Sequence, residues 1–137
     1  MKQIMTYLNF DGETRDAMTF YAECLGAELS IQSFKDSQMD APPGQEDRTI
    51  HARLSKGQAV IMASDTMPGM PFNKGNNFFI CIDCDSSDEL QKLYEALLAG
   101  GTSIMEPQDT FWGARFAMLT DKFGIGWMFN QQLEQQG

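Results

Sequence analysis

A chain of 137 residues with 42% hydrophobic side chains is the usual size of one domain and has enough apolar surface for a real core, so intrinsic disorder is not the reading. A net charge of −9 and a pI near 4.4, with no Lys/Arg run to interrupt them, repel phosphate backbones and anionic lipid, which argues against nucleic acid and membranes as partners. No window approaches the roughly 20 apolar residues of a spanning helix, no secretory-type segment opens the chain, and three cysteines, an odd number, suit free thiols in a reducing compartment; a soluble, cytoplasmic protein is expected.

Along the chain, the first strand alternates Ile4, Thr6, Leu8 and Phe10 with Met5, Tyr7 and Asn9, a period of two that gives one face to a helix and leaves the other to line something. Asp11 or Thr14 is placed to cap the helix that follows, in which Ala17, Phe20, Tyr21, Cys24 and Leu25 form a one-sided stripe and Gly26 is the stop. Residues 28–35 (ELSIQSFK) alternate as a strand. Residues 36–48 are polar, hold Pro42-Pro43-Gly44, and are too long for a simple turn, which predicts a mobile loop and candidate lid.

Residues 49–55 and 58–64 form a hairpin across Lys56-Gly57, with Ile50, Ala52 and Leu54 on the apolar side and Thr49, His51 and Arg53 opposite. A connection dense in Pro and Gly follows over residues 65–75. The next strand spans 77–84, and Ser86 with Glu89 makes a capping box before the stripe Leu90, Leu93, Tyr94, Leu97, Leu98. Gly100-Gly101 ends that helix. Then come a strand at 103–106, a loop at 107–113 carrying Phe111 and Trp112, a strand at 114–120, a turn at 121–124, a last strand through Trp127-Met128-Phe129, and a polar tail after Asn130 expected to fray.

The second half repeats the first. The stretch 20–26 lies on 93–99 with Tyr21 on Tyr94 and Leu25 on Leu98, and 51–55 lies on 116–120. Each half reads strand, helix, three strands, and units of this length rarely bury their apolar face alone. The expectation is one domain, 1–137, of two modules at about 1–66 and 76–131.

Two such modules, with the phrases YLNFDG, AMTFYAECLGAE, IHARL, IMASD, FWGARF and TDKFGIGWM in this order, resemble the PhnB-like branch of the vicinal oxygen chelate superfamily, the glyoxalase/bleomycin resistance/dioxygenase fold. The resemblance implies an α+β fold in which two βαβββ modules form a cupped mixed β-sheet with helices on the convex side. It also implies a cup that often holds a divalent metal bound by His and Glu, and subunits that pair as homodimers.

The metal is where this chain departs from the pattern. On the module alignment the superfamily's ligand positions fall near Met5 and Asn77 on the first strands and near Met62 and Met128 on the last, none of them His or carboxylate, and the whole chain has one His. No metal and no other cofactor is expected. Relatives in this branch often carry a methyltransferase label, but no Gly-rich strand-to-helix turn that would hold a nucleotide-like cofactor is present, nor a P-loop or a G-x-S-x-G.

The candidate site residues follow from strand parity. His51, an imidazole of the kind used as a general base, and Arg53, a fork for a carboxylate or phosphate, point away from the helices with Tyr7 and Asn9. They are the candidate catalytic pair. Tyr7, Asn9, Phe79, Trp112, Arg115 and Trp127 are the candidate ligand-binding residues, with the Trp112 loop closing over the cup; Arg115 is included for its place at a strand entrance, although its parity is opposite to that of His51. Met5, Met62 and Met70 could line an adaptable cup. Cys81-x-x-Cys84 has redox spacing, but residues three apart on a strand face opposite ways, and Asp83, Asp85 and Asp88 read as helix-start residues. Two function classes stay open: a metal-free cup that binds a small anionic or aromatic molecule, and a small-molecule lyase, isomerase or transferase using His51 as base and Arg53 as clamp.

Overall fold

Strand β1 (Thr6–Phe10) buries Leu8 and Phe10 and leaves Tyr7 and Asn9 exposed, so the period of two in the sequence becomes a sheet with one dry face. The structure, a computed structural model, describes residues 1–37, 39–67 and 69–133. It divides the chain into two compact units, Met1–Asn73 and Lys74–Gly137.

The first unit contains β1, α1 (Thr14–Leu25), β2 (Glu28–Ser33), β3 (Thr49–Lys56) and β4 (Ala59–Asp65), with strand order β1-β4-β3-β2. The β1/β4 pair is parallel and the other pairs are antiparallel, so the sheet is mixed. Helix α1 lies on one face, where Ala17, Met18 and Tyr21 pack with Leu8, Phe10, Ala52, Leu54, Ile61 and Ala63, all buried. Burying a side chain of Leu or Phe size stabilises by about 1.5–3 kcal/mol, and this layer is where the unit gains it.

The second unit repeats the plan with β5 (Phe79–Asp83), α2 (Ser87–Leu98), β6 (Thr102–Asp109), β7 (Ala114–Thr120) and β8 (Gly126–Gln132), in the order β5-β8-β7-β6, again with one parallel pair. Leu90, Tyr94 and Leu97 of α2 pack on the face that holds Ala117, Leu119, Trp127 and Phe129. Both units are therefore βαβββ in topology and the fold class is α+β, as the repeat predicts. Among the described residues no helix is long and apolar enough to cross a membrane.

Several local expectations are corrected. The cap of α1 is neither Asp11 nor a Thr14 side chain folded onto its own helix: Asp65, expected in the connection, is the last residue of β4 and caps α1 from there. One carboxylate oxygen accepts from Gly12 N–H (2.9 Å), Thr14 N–H (3.1 Å) and the Thr14 hydroxyl (2.7 Å), and the other from Thr49 N–H (2.8 Å). A negative charge at a helix N-terminus is favoured by the macrodipole, and here it also joins β1, β3 and β4. The buried stripe of α1 includes Met18, while Phe20, Cys24 and Leu25 are half-buried. In α2 the expected cap holds, since Glu89 N–H donates to Ser86 Oγ at 3.1 Å and Glu89 Oε1 accepts from Asp85 N–H at 3.0 Å.

Strand β2 stops at Ser33, and the Phe34 side chain is buried in the turn that follows. Strand β6 runs on through Pro107 to Asp109, because a register shift between Met105 and Gln108 accommodates a residue that cannot donate to the ladder. Strand β8 extends past Asn130 to Gln132; the rest of the tail, 134–137, lies outside the described residues, as do Gln38 and Pro68. The candidate lid is stitched at its ends by Phe34 N–H to Arg48 O (3.1 Å), Lys35 N–H to Glu46 O (3.1 Å) and the Arg48 guanidinium, which reaches Asp11 (2.8 Å) and the Thr66 carbonyl (2.6 Å).

Candidate functional site

On the helix-free face of the first sheet, strand register assembles four of the predicted residues. Arg53 pairs with Met62, and Met62 with Tyr7, while Ser30 lies across from Arg53 on the other side, so Ser30, Arg53, Met62 and Tyr7 form one row across four strands. His51 and Asn9 are two positions along their strands from Arg53 and Tyr7 and so share this face, with Gln32 opposite His51 and Ser64 opposite Asn9. The Tyr7 and His51 rings are 6.1 Å apart and tilted by 37°, and Ser64 Oγ lies 3.5 Å from Asn9 Oδ1.

The electrostatics of this face centre on Arg53. It is exposed, and among the described residues no carboxylate or hydrogen-bond acceptor engages its guanidinium, in contrast to Arg48 on Asp11 and Arg115 on Asp109. An unpaired, planar, five-donor cation on a wet sheet face is suited to a carboxylate or phosphate. His51 is half-buried, and among the described residues it has the Tyr7 ring as neighbour and no hydrogen-bond partner.

Phe79, Trp112, Arg115 and Trp127 belong to the second unit and do not share one environment. Phe79 faces the helix-free side of that sheet, packed on Gly126 so closely that a Cβ there would come within 2.7 Å of its ring, and it borders a cavity of about 190 Å³ with Phe78, Ile104 and Thr120. Trp112 is 56% exposed on the β6–β7 hairpin. Arg115 has the helix-side parity and is ion-paired to Asp109 at 3.0 Å.

Trp127 is not on the open face. Its side chain is wholly buried beneath α2, and its indole N–H donates to Asp121 Oδ2 at 2.8 Å. The other oxygen of Asp121 accepts from Phe123 N–H (2.8 Å) and Ile125 N–H (3.1 Å). This is a buried carboxylate fixing the β7–β8 turn. A Trp on a strand reads equally as pocket wall or core, and register decides: Trp127 pairs with Ile80 and Leu119 in the helix-facing row.

The positions that would carry metal do not fit a divalent cation. Met62 offers a thioether between Tyr7 and the cationic Arg53, Met128 lies between Cys81 and Met118, and among the described residues no three His, Cys, Asp or Glu side chains converge. The cysteines are equally unsuited to redox work: burial first, and then the nearby Glu89 and Asp83, push the Cys84 thiol up to about 12, burial raises Cys81, and none of the three is in a disulfide.

The comparisons with known proteins agree with this architecture. A family model described as 3-demethylubiquinone-9 3-methyltransferase matches residues 2–130. Protein YjdN from Escherichia coli (strain K12) is 34% identical, over 94% of this chain and 95% of its own. Among solved structures, protein PA1353 from Pseudomonas aeruginosa is 38% identical with a TM-score of 0.89, over 98% of this chain and 100% of that one. A PhnB protein from Bacillus cereus described as a putative 3-demethylubiquinone-9 3-methyltransferase is 25% identical with a TM-score of 0.78, over 95% and 99%. The chain thus belongs to the family of that description, to which the Bacillus cereus PhnB protein is likewise referred, and it shares the fold of the solved glyoxalase/bleomycin resistance/dioxygenase proteins.

Proposed function

We propose that this chain is a metal-independent small-molecule binding protein whose first-sheet open face takes a small anionic or aromatic ligand, with Arg53 as its anchor. The observation that carries the reading is the unpaired guanidinium of Arg53 in one row with Met62 and Tyr7. Strands lie about 4.8 Å apart, so Tyr7 stands roughly 10 Å from Arg53, a span on which an aromatic acid can set its anion on Arg53 and its ring on Met62 and Tyr7. Asn9, His51, Gln32 and Ser64 offer hydrogen bonds alongside.

The enzymatic alternative, with His51 as base, is weaker on one point. A general base needs a partner that fixes its tautomer and ring orientation, and among the described residues His51 has the Tyr7 ring and no such partner. The methyl transfer implied by the family's description finds no cradle for a nucleotide-like donor at the strand-to-helix turns: one helix N-terminus is filled by Asp65 and the other by Ser86. A screen of small carboxylates and phosphates by thermal shift identifies ligands, and His51→Ala then separates the classes. In a binder it changes affinity modestly; a rate for any screened compound that falls by about a hundredfold in His51→Ala would make the chain an enzyme.

The assembly we propose is a homodimer, on the pairing usual in this superfamily. Sedimentation at high micromolar concentration should give one species of twice 15.4 kDa, and a monomer there would rule the pairing out.

A further inference from the structure

The second sheet carries a cavity of its own. At the end where β7 begins and β8 finishes lies a cavity of about 240 Å³, lined among the described residues by Trp112, Gly113, Ala114, Asn130, Gln132 and Leu133. None of these side chains is charged.

The indole of Trp112 is presented by a braced hairpin. The N–H and hydroxyl of Thr110 both donate to the Ala114 carbonyl at 2.8 Å, and Leu133 N–H donates to the Gly113 carbonyl at 3.0 Å. Phe111 and Phe116 meet the indole edge-on, at 5.0 and 5.9 Å. A half-exposed aromatic face held in this way loses little freedom when a second ring stacks on it.

The polar part of the lining is two amides. Asn130 Nδ2 donates to Asp83 Oδ1 at 3.1 Å; a carboxylate only accepts, so the amide nitrogen is fixed towards Asp83, and Asn130 Oδ1 is left as an acceptor. Gln132 is exposed and, among the described residues, has neither oxygen nor nitrogen engaged, so it offers both a donor and an acceptor. Side-chain amides match ring edges that carry a donor beside an acceptor. The chain's charge of −9 and the adjacent Asp83 disfavour phosphate.

We propose that this cavity binds an uncharged planar heterocycle with a donor–acceptor edge, a nucleobase or nucleoside, stacked on Trp112 and read by Asn130 and Gln132. The proposal is independent of the Arg53 reading, since it uses no residue of the first unit.

Adenosine is the probe and tryptophan-selective fluorescence the readout, because Trp127 is buried on Asp121 and Trp112 is the tryptophan that a solute reaches. Adenosine should quench the emission saturably, and adenosine monophosphate should need at least about tenfold more. Gln132→Leu and Trp112→Ala should each weaken binding by about tenfold or more in equilibrium dialysis, with melting temperatures unchanged. Absence of saturable quenching up to the solubility of adenosine, equal binding of the monophosphate, or wild-type affinity in Gln132→Leu or Trp112→Ala would overturn it.

Discussion

Asp65 accepts both the backbone N–H and the hydroxyl of Thr14, at 3.1 and 2.7 Å, across 51 residues of sequence. With Gly12 and Thr49 also donating, one buried carboxylate holds the start of α1 to the ends of β1, β3 and β4. Hydrogen bonds to a charged acceptor contribute about 1.5–3 kcal/mol each, and losing the shared acceptor leaves buried donors unpaired. Asp65→Ala should therefore lower the unfolding free energy by about 3 kcal/mol, and Thr14→Ala by about 1 kcal/mol. Asp65→Asn should recover only part of the loss, since the amide nitrogen turns a donor towards either the Thr14 side or Thr49. Urea unfolding checks this; an unchanged midpoint in Asp65→Ala would remove the carboxylate from its place in the fold.

How much of this was legible follows from the range of the interactions. The period of two in YLNF and IHARL gave the strand faces, because parity is local, and with it the grouping of Tyr7, Asn9, His51 and Arg53. Asp65 was not legible as a cap, since its partners are distant in sequence and its neighbours are Pro and Gly of the connection. Residue type points Trp127 to the pocket, whereas its alternation with Met128 puts it beside Phe129 in the core, where it lies. Pro107 concealed the second half of β6, because a strand proline is tolerated only at an edge or a bulge and the sequence marks neither. That no carboxylate among the described residues engages the Arg53 guanidinium could be seen only in three dimensions.

The Cys84 thiol gives a pH prediction with a definite sign. Its ordinary value of 9.0 is pushed up to about 12, chiefly by burial, so the folded state disfavours the thiolate. The raised group leaves stability intact below about pH 9 and removes it progressively as pH rises towards 12, since the unfolded chain releases the proton first. Urea midpoints should fall over that window by more than in Cys84→Ala, whose own decline should be shallower. A Cys84→Ala protein with the same alkaline slope would assign the loss elsewhere.

Metal-independence is tested directly. With Met62 and Met128 near the positions where the superfamily resemblance implies donors, added zinc, manganese or nickel should leave the melting temperature unchanged, and purified protein should carry no stoichiometric metal. A chelator-sensitive stabilisation with one metal per chain would contradict the donor assignment.

The reading of the first sheet stands on Arg53, and Arg53→Ala tests it in one thermal-shift comparison against the same panel of small carboxylates and phosphates. Arg53 is exposed on a strand, so its removal should change stability by no more than about 0.5 kcal/mol and move the ligand-free melting temperature by only a few degrees. Anions that stabilise the wild-type protein should fail to stabilise Arg53→Ala. An Arg53→Ala protein that responds to those anions as the wild type does, or that loses its fold, would contradict the reading.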